Sequence, residues 1–419
     1  MSTHKNLTIG LFGFGVVGEG IYQVLQQTPS LNARIKKVCI RHAYKKRNAD
    51  ADLFTTDYNG ILNDPEINLV VELIDDAEEA YKIVTTAFRK KKSVVSANKK
   101  LIAEHLAELI LLQQEHGVSF LYEAAVCGSI PIIRNLEEYY DNDLLQSICG
   151  IVNGSTNYIL TKISEGLNYN DALLKAQQLG FAESNPALDV EGIDAANKLT
   201  ILLAHAYGIV TKPQQLIHLG ITRLHEADAD FAREKNYEVK LTAQARKSPG
   251  GKIASFVLPQ FVKEESQLFN VKNEYNGVII ESKLADKQFL YGKGAGRYPT
   301  SSAVISDISA LTYDYRYEYK KLRRHEKYVL SNDYYLKVYV SFNDWAEVNK
   351  WDFEQVNEFH STDERQYITG IIYAEKLKNA DWFYDPSVSV IVLPNGIIEK
   401  ENIIAKSVKK LSLQLAGVS

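Results

Sequence analysis

A short acidic stretch that ends in a lysine holds residues suited to acid–base chemistry. Residues 176–198 read AQQLGFAESNPALDVEGIDAANK. The ionisable side chains of this stretch are Glu183, Asp189, Glu191, Asp194 and Lys198. A lysine held among carboxylates can polarise a carbonyl group and donate a proton to the alkoxide that forms when a hydride is added. The alternative is an ordinary ion pair between adjacent turns of a helix.

The residues around the lysine predict the element that positions it. A helix is expected from near Gly192 to Gly208, because apolar residues recur at helical spacing and glycine suits the position just after a helix. The apolar positions are Leu199, Leu202, Leu203 and Ala206. Asp194 and Lys198 are four residues apart and therefore share one face of this helix.

The composition is that of an ordinary globular protein and favours a small-molecule partner over nucleic acid. The 419 residues are 45% hydrophobic and 24% charged, which leaves room for two or three domains. The 48 basic and 52 acidic residues give a formal charge of −4, and no long basic run suggests a nucleic-acid partner. The three cysteines lack a C-x-x-C spacing, which argues against a disulfide framework and a zinc site. Without a signal-like or membrane-spanning apolar run, we expect a cytoplasmic location and no membrane partner.

Glycines near the N-terminus predict a dinucleotide site. An apolar strand from Leu7 to Phe12 leads into the sequence GFGVVG and then into an apolar-periodic helix. This fingerprint consists of Gly13, Phe14, Gly15, Val16, Val17 and Gly18. Its first glycine permits the tight turn, its second lets a pyrophosphate approach the backbone, and its third lets helix and strand pack closely. A glycine-rich turn that merely packs is the alternative.

Basic residues after the second predicted strand bear on the choice of cofactor. This strand, residues 35–40, is followed by Arg41 rather than by the acidic residue that would bind the ribose of NAD. Lys45, Lys46 and Arg47 follow closely. Such a cluster suits the 2′-phosphate of NADP, so we expect NADP. A solvated basic loop, which would leave NAD as an option, is the alternative.

The acidic stretch resembles the signature of homoserine dehydrogenases. The matching positions are Ala176, Gly180, Phe181, Ala182, Asn185, Pro186, Asp189, Val190, Gly192, Asp194 and Lys198. The resemblance implies that Lys198 donates the proton and that Asp194 orients it. It also implies that Glu183 and Asp189 hold the amino group and hydroxyl of the substrate, and that Gly180 belongs to the cofactor site.

Two segments at the ends of predicted strands also bear on this resemblance. Residues 94–99 are expected to form a strand that ends on an asparagine and Lys99, and the resemblance places Lys99 near the substrate and nicotinamide. A surface lysine at the start of the following helix is the alternative. After the predicted strand 69–74 the family often has glycines, whereas this chain has Asp75 and Asp76. Two carboxylates beside a nicotinamide would change its local field.

Residues 123–131 resemble the family's loop that binds a monovalent cation. By position, the ligands would be the Glu123 carboxylate and the backbone carbonyls of Val126, Gly128 and Ile130. Carboxylate and carbonyl oxygens suit a hard cation such as Na⁺ or K⁺. A turn that links two domains, with Glu123 as a cap, is the alternative.

Two further segments combine a turn with a following helix. In GIVNGSTNYIL, residues 150–160, the resemblance places Ser155 near the substrate, and simple N-capping is the alternative. In GKGAGRYPT, residues 292–300, the glycines would form a backbone nest for an anion or ribose. We assign Gly294 and Gly296 to the cofactor site. A flexible loop is the alternative there.

The order of predicted elements indicates an α/β protein. A Rossmann-type doubly wound parallel sheet is expected in a dinucleotide-binding domain over residues 1–135, completed by about 296–325. Residues 136–295 are expected to form an α+β domain with a mixed sheet that binds substrate and forms a homodimer by pairing across a sheet edge. The segments 237–246 and 253–258 flank a Pro-Gly-Gly turn and predict a hairpin in that sheet.

The C-terminal quarter is expected to be a separate small α+β unit over residues 330–419. Strands are predicted at 334–342, 367–373 and 388–393, and an amphipathic helix at 403–415. Residues 313–324 are interpreted as a packed helix or linker. An ACT-like regulatory module is one option for the C-terminal unit.

With the resemblance, these features predict a monofunctional homoserine dehydrogenase. It would reduce L-aspartate 4-semialdehyde to L-homoserine with NAD(P)H in the biosynthesis of threonine, methionine and isoleucine. No fused kinase domain is expected, because the nucleotide-binding strand begins close to Met1. One alternative is another NAD(P)-dependent semialdehyde or amino-acid dehydrogenase. The other is a non-catalytic nucleotide sensor, which would have no use for the acid–lysine signature.

Overall fold

The computed structural model describes residues 5–142, 144–361 and 365–399. Its contacts divide the chain into two compact units. The first unit comprises Met1–Leu144, Asn197–Pro213 and Leu290–His325, and the second comprises Leu145–Ala196, Gln214–Phe289 and Glu326–Ser419. Each unit is therefore assembled from separate stretches of the chain.

The strands and helices of the described residues follow in chain order. The strands are β1 (Leu7–Phe12), β2 (Ala33–Cys39), β3 (Phe54–Thr55), β4 (Leu69–Glu72), β5 (Ser93–Ser96), β6 (Phe120–Leu121), β7 (Leu145–Ile151), β8 (Ile217–His218), β9 (Tyr237–Ser248), β10 (Lys252–Lys263), β11 (Tyr275–Ser282), β12 (Asp286–Lys293), β13 (Val329–Leu330), β14 (Tyr335–Phe342), β15 (Phe353–Ser361), β16 (Gln366–Tyr373) and β17 (Ser389–Ile398). The helices are α1 (Val16–Gln27), α2 (Tyr58–Asn63), α3 (Ala77–Arg89), α4 (Lys99–His116), α5 (Ile132–Glu137), α6 (Gly154–Ser164), α7 (Tyr169–Gln178), α8 (Ala187–Val190), α9 (Ile193–Tyr207), α10 (Glu226–Glu234), α11 (Arg297–Leu311) and α12 (Ala374–Lys378).

A six-stranded parallel sheet forms the centre of the first unit. Its strand order is β3-β2-β1-β4-β5-β6, and every pair is parallel. All residues of β1 and β4 are buried, as apolar strands in the middle of a parallel sheet usually are. The strand order reverses between β1 and β4, and ligands of such sheets bind at the carboxyl ends of the strands beside this point. The prediction of a Rossmann-type sheet is confirmed.

A mixed sheet forms the centre of the second unit. Its order is β12-β11-β7-β9-β10-β17-β14-β16-β15, with β8 and β13 also paired with β10. The predicted hairpin is present, since β9 and β10 pair along twelve residues each around Pro249–Gly251. The mixed sheet that we predicted is therefore confirmed.

The C-terminal strands do not form the separate unit that we predicted. β17 pairs with both β10 and β14, which places the described C-terminal strands in the same sheet as the hairpin. One buried apolar cluster also contains Phe256 of β10 together with Val338 and Val390 of the C-terminal strands. Because their apolar side chains share this cluster with the hairpin, the C-terminal strands need no separate core.

Several predicted elements have different bounds in the structure. The strand predicted at 94–99 ends at Ser96, and Lys99 is the first residue of α4. β15 was not predicted, because its sequence lacks the alternation of apolar and polar residues that indicates a strand. All of its residues after Phe353 are exposed. Residues 313–324 contain a single 3₁₀ turn, at Lys320–Arg323. The helix predicted at 403–415 lies outside the described residues. Within the described ranges, no helix combines the length and apolar character that crossing a membrane would require.

Candidate active site

The three glycines of the fingerprint have distinct surroundings in the turn between β1 and α1. Gly13 has a φ of +94°, and a Cβ there would lie 2.8 Å from the Leu73 carbonyl oxygen. A Cβ on Gly18 would lie 2.4 Å from the Gly13 carbonyl oxygen. Gly15, at the N-cap of α1, has no atom within 4 Å of its Cβ position. The first and third glycines therefore permit close packing, while the second leaves open space at the helix N-terminus.

The predicted phosphate-binding residues divide into two groups. Lys46 and Arg47 line an open pocket together with Phe14 of the fingerprint. Arg41 instead pairs with Glu79 of α3, at 2.7 Å between Nη2 and Oε2, and both side chains are exposed. The structure thus brings Lys46 and Arg47 beside the glycine turn, and it gives Arg41 an acidic partner on α3.

The ends of β4 and β5 lead into two capped helices. Asp76 is the N-cap of α3, and its side chain accepts a hydrogen bond from Glu79 N at 3.0 Å. Asn98 is the N-cap of α4, and Lys99 follows it as the first residue of that helix with a partly exposed side chain. Asp75 is exposed. Of the two acidic residues that depart from the family pattern, Asp76 therefore caps a helix and Asp75 is exposed to solvent.

Glu123 lies in a buried cluster of opposite charges. Its carboxylate oxygens accept hydrogen bonds from Ile133 N at 2.8 Å and Arg134 N at 2.9 Å, in the first turn of α5. Its backbone N–H donates to Asp307 Oδ2 at 2.9 Å, and Arg134 pairs with Asp307 Oδ1 at 2.8 Å. Burial raises the pKa of Glu123 to about 8 and that of Asp307 to about 6. Glu123 therefore caps α5, as the alternative interpretation predicted, and retains lone pairs that a cation could use.

The loop after Glu123 touches the second glycine-rich turn. Cys127 and Gly128 both have a positive φ, of 52° and 49°. A Cβ on Gly128 would lie 2.6 Å from the Gly294 carbonyl oxygen, and Ser129 N donates to the Lys293 carbonyl at 3.1 Å. The carbonyl of Ile130 accepts from Ile132 N at 2.8 Å. The contacts of Gly128 and Ser129 with residues 293 and 294 pack the predicted cation loop against the predicted nest. Gly296 of this nest is the N-cap of α11 and has a φ of 114°.

Asn153 joins two of the predicted site acids in the second unit. Its side-chain amide donates to Asp189 Oδ1 and to Asp194 Oδ2, each at 2.7 Å. Its Oδ1 accepts from Thr156 N at 2.8 Å and so caps α6. Asp194 is buried with 3% exposure. Asn153 was not predicted as a site residue, although N-capping by this polar turn was the alternative to a substrate role for Ser155.

The predicted lysine helix is present as α9, and its first turn carries Asp194. Lys198, one turn further on, is 8% exposed. The helix ends before Gly208, whose φ of +70° suits that position, so the predicted bounds are confirmed within one residue. A buried lysine near a carboxylate is the arrangement that can hold and transfer a proton.

Two backbone segments touch directly before α9 begins. A Cβ on Gly220 would lie 1.8 Å from the Val190 carbonyl oxygen, and one on Gly192 would lie 2.9 Å from the Leu219 carbonyl oxygen. Ile221 N donates to the Val190 carbonyl at 2.7 Å. The close approach fixes the chain at the entry to the lysine helix.

The remaining predicted substrate residues lie around the end of α7. The Ser155 hydroxyl donates to the Phe181 carbonyl. Gly180 follows α7 with a φ of +75°. The side chain of Glu183 is exposed, while Asp189 is half-buried against Asn153. Ser155, Asp189 and Asp194 are thus brought together around the start of α6, and Glu183 remains open to solvent.

Together the parallel sheet, the glycine turn and the acid–lysine helix define an NAD(P)-dependent oxidoreductase. Residues 13–123 match the family model described as homoserine dehydrogenase, NAD binding domain, and residues 131–309 match the model described as homoserine dehydrogenase. The chain is 36% identical to homoserine dehydrogenase of Bacillus subtilis over 322 residues, 74% of each chain. It is 39% identical to that of Synechocystis over 311 residues, 72% of each chain.

Solved structures agree with the sequence matches. A homoserine dehydrogenase from Thiobacillus denitrificans superposes with a TM-score of 0.82 at 30% identity, covering 93% of this chain and 98% of that one. A hyperthermophilic archaeal homoserine dehydrogenase mutant in complex with NADPH gives a TM-score of 0.64 at 26% identity, covering 75% of this chain and 100% of that one. The chain belongs to the homoserine dehydrogenase family. It is an enzyme of amino-acid biosynthesis that interconverts L-homoserine and L-aspartate 4-semialdehyde with a nicotinamide cofactor.

Proposed function

We propose that the enzyme reduces L-aspartate 4-semialdehyde with NADPH and that Lys198 supplies the proton. The observation that carries this assignment is the double hydrogen bond of Asn153, which ties Asp189 to Asp194 on the helix of the lysine. Two acids that share one amide donor are held in a fixed arrangement. Such an arrangement suits the orientation of a substrate and of a proton donor.

The proposed proton transfer involves residues of α9 and the start of α4. When bound, the reduced nicotinamide supplies the hydride that adds to the aldehyde carbon. The Lys198 ammonium polarises the aldehyde C=O group, stabilises the charge that develops on the oxygen, and gives that oxygen a proton. Asp194 orients Lys198, and Lys99 contributes a second positive charge. The products are the primary alcohol, the oxidised cofactor NADP⁺ and a neutral Lys198 amine, which regains a proton from solvent.

The substrate residues are proposed from their positions in the family signature. Glu183 and Asp189 would hold the ammonium and hydroxyl groups of homoserine, because a carboxylate accepts charge-assisted hydrogen bonds from both. The exposure of Glu183 suits a residue that meets a ligand from solvent. Ser155 would support this region through its bond to the Phe181 carbonyl.

The residues of the first unit fit a dinucleotide with a 2′-phosphate. The open space at Gly15 suits a pyrophosphate at the N-terminus of α1. Lys46 and Arg47 line the neighbouring pocket and supply positive charge. Arg41 would take part if its exposed pair with Glu79 opened, which costs little at a surface. Gly180, Gly294 and Gly296 complete the proposed cofactor residues.

The Glu123 loop fits a monovalent cation by charge and by donor type. The buried cluster contains two carboxylates, Glu123 and Asp307, against the single guanidinium of Arg134. A bound cation would lower the raised pKa of Glu123, and it would balance the charge of the cluster once that carboxyl group is ionised. The carbonyls of Val126, Gly128 and Ile130 are oxygen donors of the kind that Na⁺ and K⁺ prefer.

Assembly, location and pathway complete the proposal. We propose a homodimer, and β12 and β15 are the outer strands of the larger sheet, where a second copy could pair. Homoserine would serve the synthesis of threonine, methionine and isoleucine. A cytoplasmic location and an ACT-like regulatory role for the C-terminal strands stay predictions from the sequence.

The test is a spectrophotometric assay of homoserine oxidation at alkaline pH. Purified enzyme receives L-homoserine with NADP⁺ or with NAD⁺ in parallel, and absorbance of the reduced nicotinamide is followed. We expect the absorbance to rise with both cofactors, and to rise faster with NADP⁺. A faster rate with NAD⁺ would overturn the cofactor preference. An absorbance that stays constant with both cofactors, in a sample that binds NADPH, would favour another substrate or a nucleotide sensor.

A further inference from the structure

A buried carboxylate links the ends of β4 and β5 in the first unit. Glu72 is the last residue of β4 and is 0% exposed. It lies opposite Ser96, the last residue of β5, in the register of the two strands. Glu72 Oε1 accepts a hydrogen bond from Ile74 N at 2.7 Å, and Glu72 Oε2 accepts one from the Ser96 hydroxyl at 2.6 Å.

The hydrogen bonds continue from Ser96 into the start of α4 and back to Ile74. Ser96 Oγ accepts from Asn98 N at 3.0 Å. The Asn98 side-chain amide donates to the Ile74 carbonyl at 3.0 Å, and its Oδ1 accepts from Leu101 N at 3.0 Å. Glu72, Ile74, Asn98 and Ser96 thus form a closed ring, which we call the strand-end ring. Lys99 leaves the backbone directly beside it.

The ring gives a reason for a carboxylate at a position where an apolar residue would be less costly. Burying an unpaired carboxylate is strongly unfavourable, and its hydrogen bonds offset only part of that cost. Burial raises the pKa of Glu72 to about 7, and the nearby charge of Asp75 acts in the same direction. The ring can hold either form, because a protonated Glu72 could donate to Ser96 Oγ while still accepting from Ile74 N. The ring therefore requires two hydrogen-bonding atoms on residue 72, and it does not require a negative charge there.

We propose that Glu72 is a positioning residue that holds the turn after β4 and the start of α4, and thereby places Lys99 for the reaction. The inference rests on the proposed role of Lys99 in stabilising the developing charge. Glu72 is buried within the strand ends and would act through the backbone of residues 96–99. Displacing a charged group by an ångström can cost on the order of 10²-fold in rate.

The test compares Glu72→Ala and Glu72→Gln in the wild-type enzyme and in a Lys99→Ala background. Glu72→Ala removes both bonds, so we expect kcat to fall by about 10-fold to 10²-fold with little change in the dissociation constant of NADPH. Glu72→Gln keeps one acceptor and one donor and should remain within about 3-fold of wild type. In the Lys99→Ala enzyme, Glu72→Ala should have almost no further effect.

Several outcomes separate the inference from the proposed function. Independent, multiplying losses of Glu72→Ala and Lys99→Ala would overturn the positioning role. A Glu72→Gln enzyme as slow as Glu72→Ala would show that charge matters instead, which also overturns it. Full activity of Lys99→Ala alone would remove the proposed role of Lys99 itself.

Two controls address folding. Ser96→Ala removes the two bonds of the Ser96 hydroxyl, to Glu72 Oε2 and from Asn98 N, while Ile74 N keeps its acceptor. It should also lower kcat, which keeps the proposal testable if Glu72→Ala does not fold. Asp57→Ala removes an exposed carboxylate that caps α2 by accepting from Gly60 N at 2.9 Å, outside the ring. We expect Asp57→Ala to keep the wild-type kcat. Loss of activity in Asp57→Ala but not in Ser96→Ala would contradict the proposal.

Discussion

The side chain of Asn153 performs two tasks with different atoms. Its amide nitrogen donates to Asp189 and Asp194, while its oxygen accepts from the first turn of α6. Removing the nitrogen would remove the donor that the two carboxylates share. Removing the oxygen would leave a helix end uncapped. The two losses can be separated because one affects the proposed substrate site and the other affects stability.

Replacing Asn153 with alanine should therefore impair catalysis more than stability. We expect kcat/KM for homoserine to fall by on the order of 10²-fold, because both acids lose a shared hydrogen bond. The lost cap should lower the free energy of unfolding by about 1 kcal/mol. Steady-state kinetics and urea unfolding measure the two effects.

Asn168→Ala is the matched control for that experiment. Asn168 caps α7 in the same unit by accepting from Asp171 N at 2.9 Å, and it contacts neither acid. It should lose similar stability while keeping kcat/KM. Equal kinetic losses in the two variants would mean that Asn153 acts only as a cap.

Lys198 permits the most direct test of the proton transfer. Lys198→Ala should lower kcat by about 10² to 10⁴-fold, which is the usual contribution of a positioned acid. NADPH binding, followed by fluorescence titration, should change little, because the glycine turn and basic loop are intact. Lys175→Ala, at an exposed position of α7, should behave as wild type. Near-normal turnover of Lys198→Ala would remove the proton-transfer assignment.

At the level of elements, the turn between β1 and α1 separates binding from packing. Gly15→Ala should leave the unfolding midpoint unchanged, because no atom lies within 4 Å of the new Cβ. It should weaken NADPH binding, since the methyl group would occupy the space that we propose for the pyrophosphate. Gly18→Ala should lower the free energy of unfolding by about 1 to 3 kcal/mol, because its Cβ would press on the Gly13 carbonyl. Unchanged NADPH affinity in Gly15→Ala would place the pyrophosphate elsewhere.

At the level of the whole molecule, the buried Lys240 makes stability depend on pH. Lys240 is 0% exposed, and its ammonium donates to the Val271 carbonyl at 2.7 Å. Burial lowers its pKa from 10.5 to about 8. Below about pH 8 the lysine is charged in both states, and the folded state carries the cost of a buried charge. As the pH rises from about 8 towards 10.5, the folded state loses this proton first and stability increases.

Lys240→Met should consequently stabilise the protein at neutral pH. We expect a gain of about 1 to 3 kcal/mol near pH 7, which shrinks as the pH approaches about 10. The Val271 carbonyl keeps a donor in Asn157, at 3.2 Å. Urea unfolding at both pH values measures the gain, with the exposed Lys263→Met as control. A variant that is less stable at pH 7 would show that the hydrogen bonds of Lys240 outweigh its burial.

The sequence predicted features that depend on local spacing and missed those that depend on distant partners. The glycine turn and the helix of Lys198 follow from residues within one or two turns, so both were predicted. The bonds of Asn153 to Asp189 and of Glu72 to Ser96 join residues 36 and 24 positions apart, and no local pattern records them. Glu72 did leave a signal, as a carboxylate in the apolar run LVVELI. The C-terminal strands were separated from their sheet because strand pairing is decided by the fold and not by the strand's own residues.

The contact of Gly220 with the Val190 carbonyl has a consequence for mutational scanning. With only 1.8 Å between a Cβ and a backbone oxygen, every side chain is excluded at this position, including that of alanine. A saturation scan for activity would therefore mark position 220 as intolerant as Lys198. Position 220 would look like a catalytic residue in such data, although it contributes no functional group. Position 220 requires glycine because there is no room for a side chain. A parallel assay of the amount of folded protein would distinguish this requirement from the catalytic requirement at position 198.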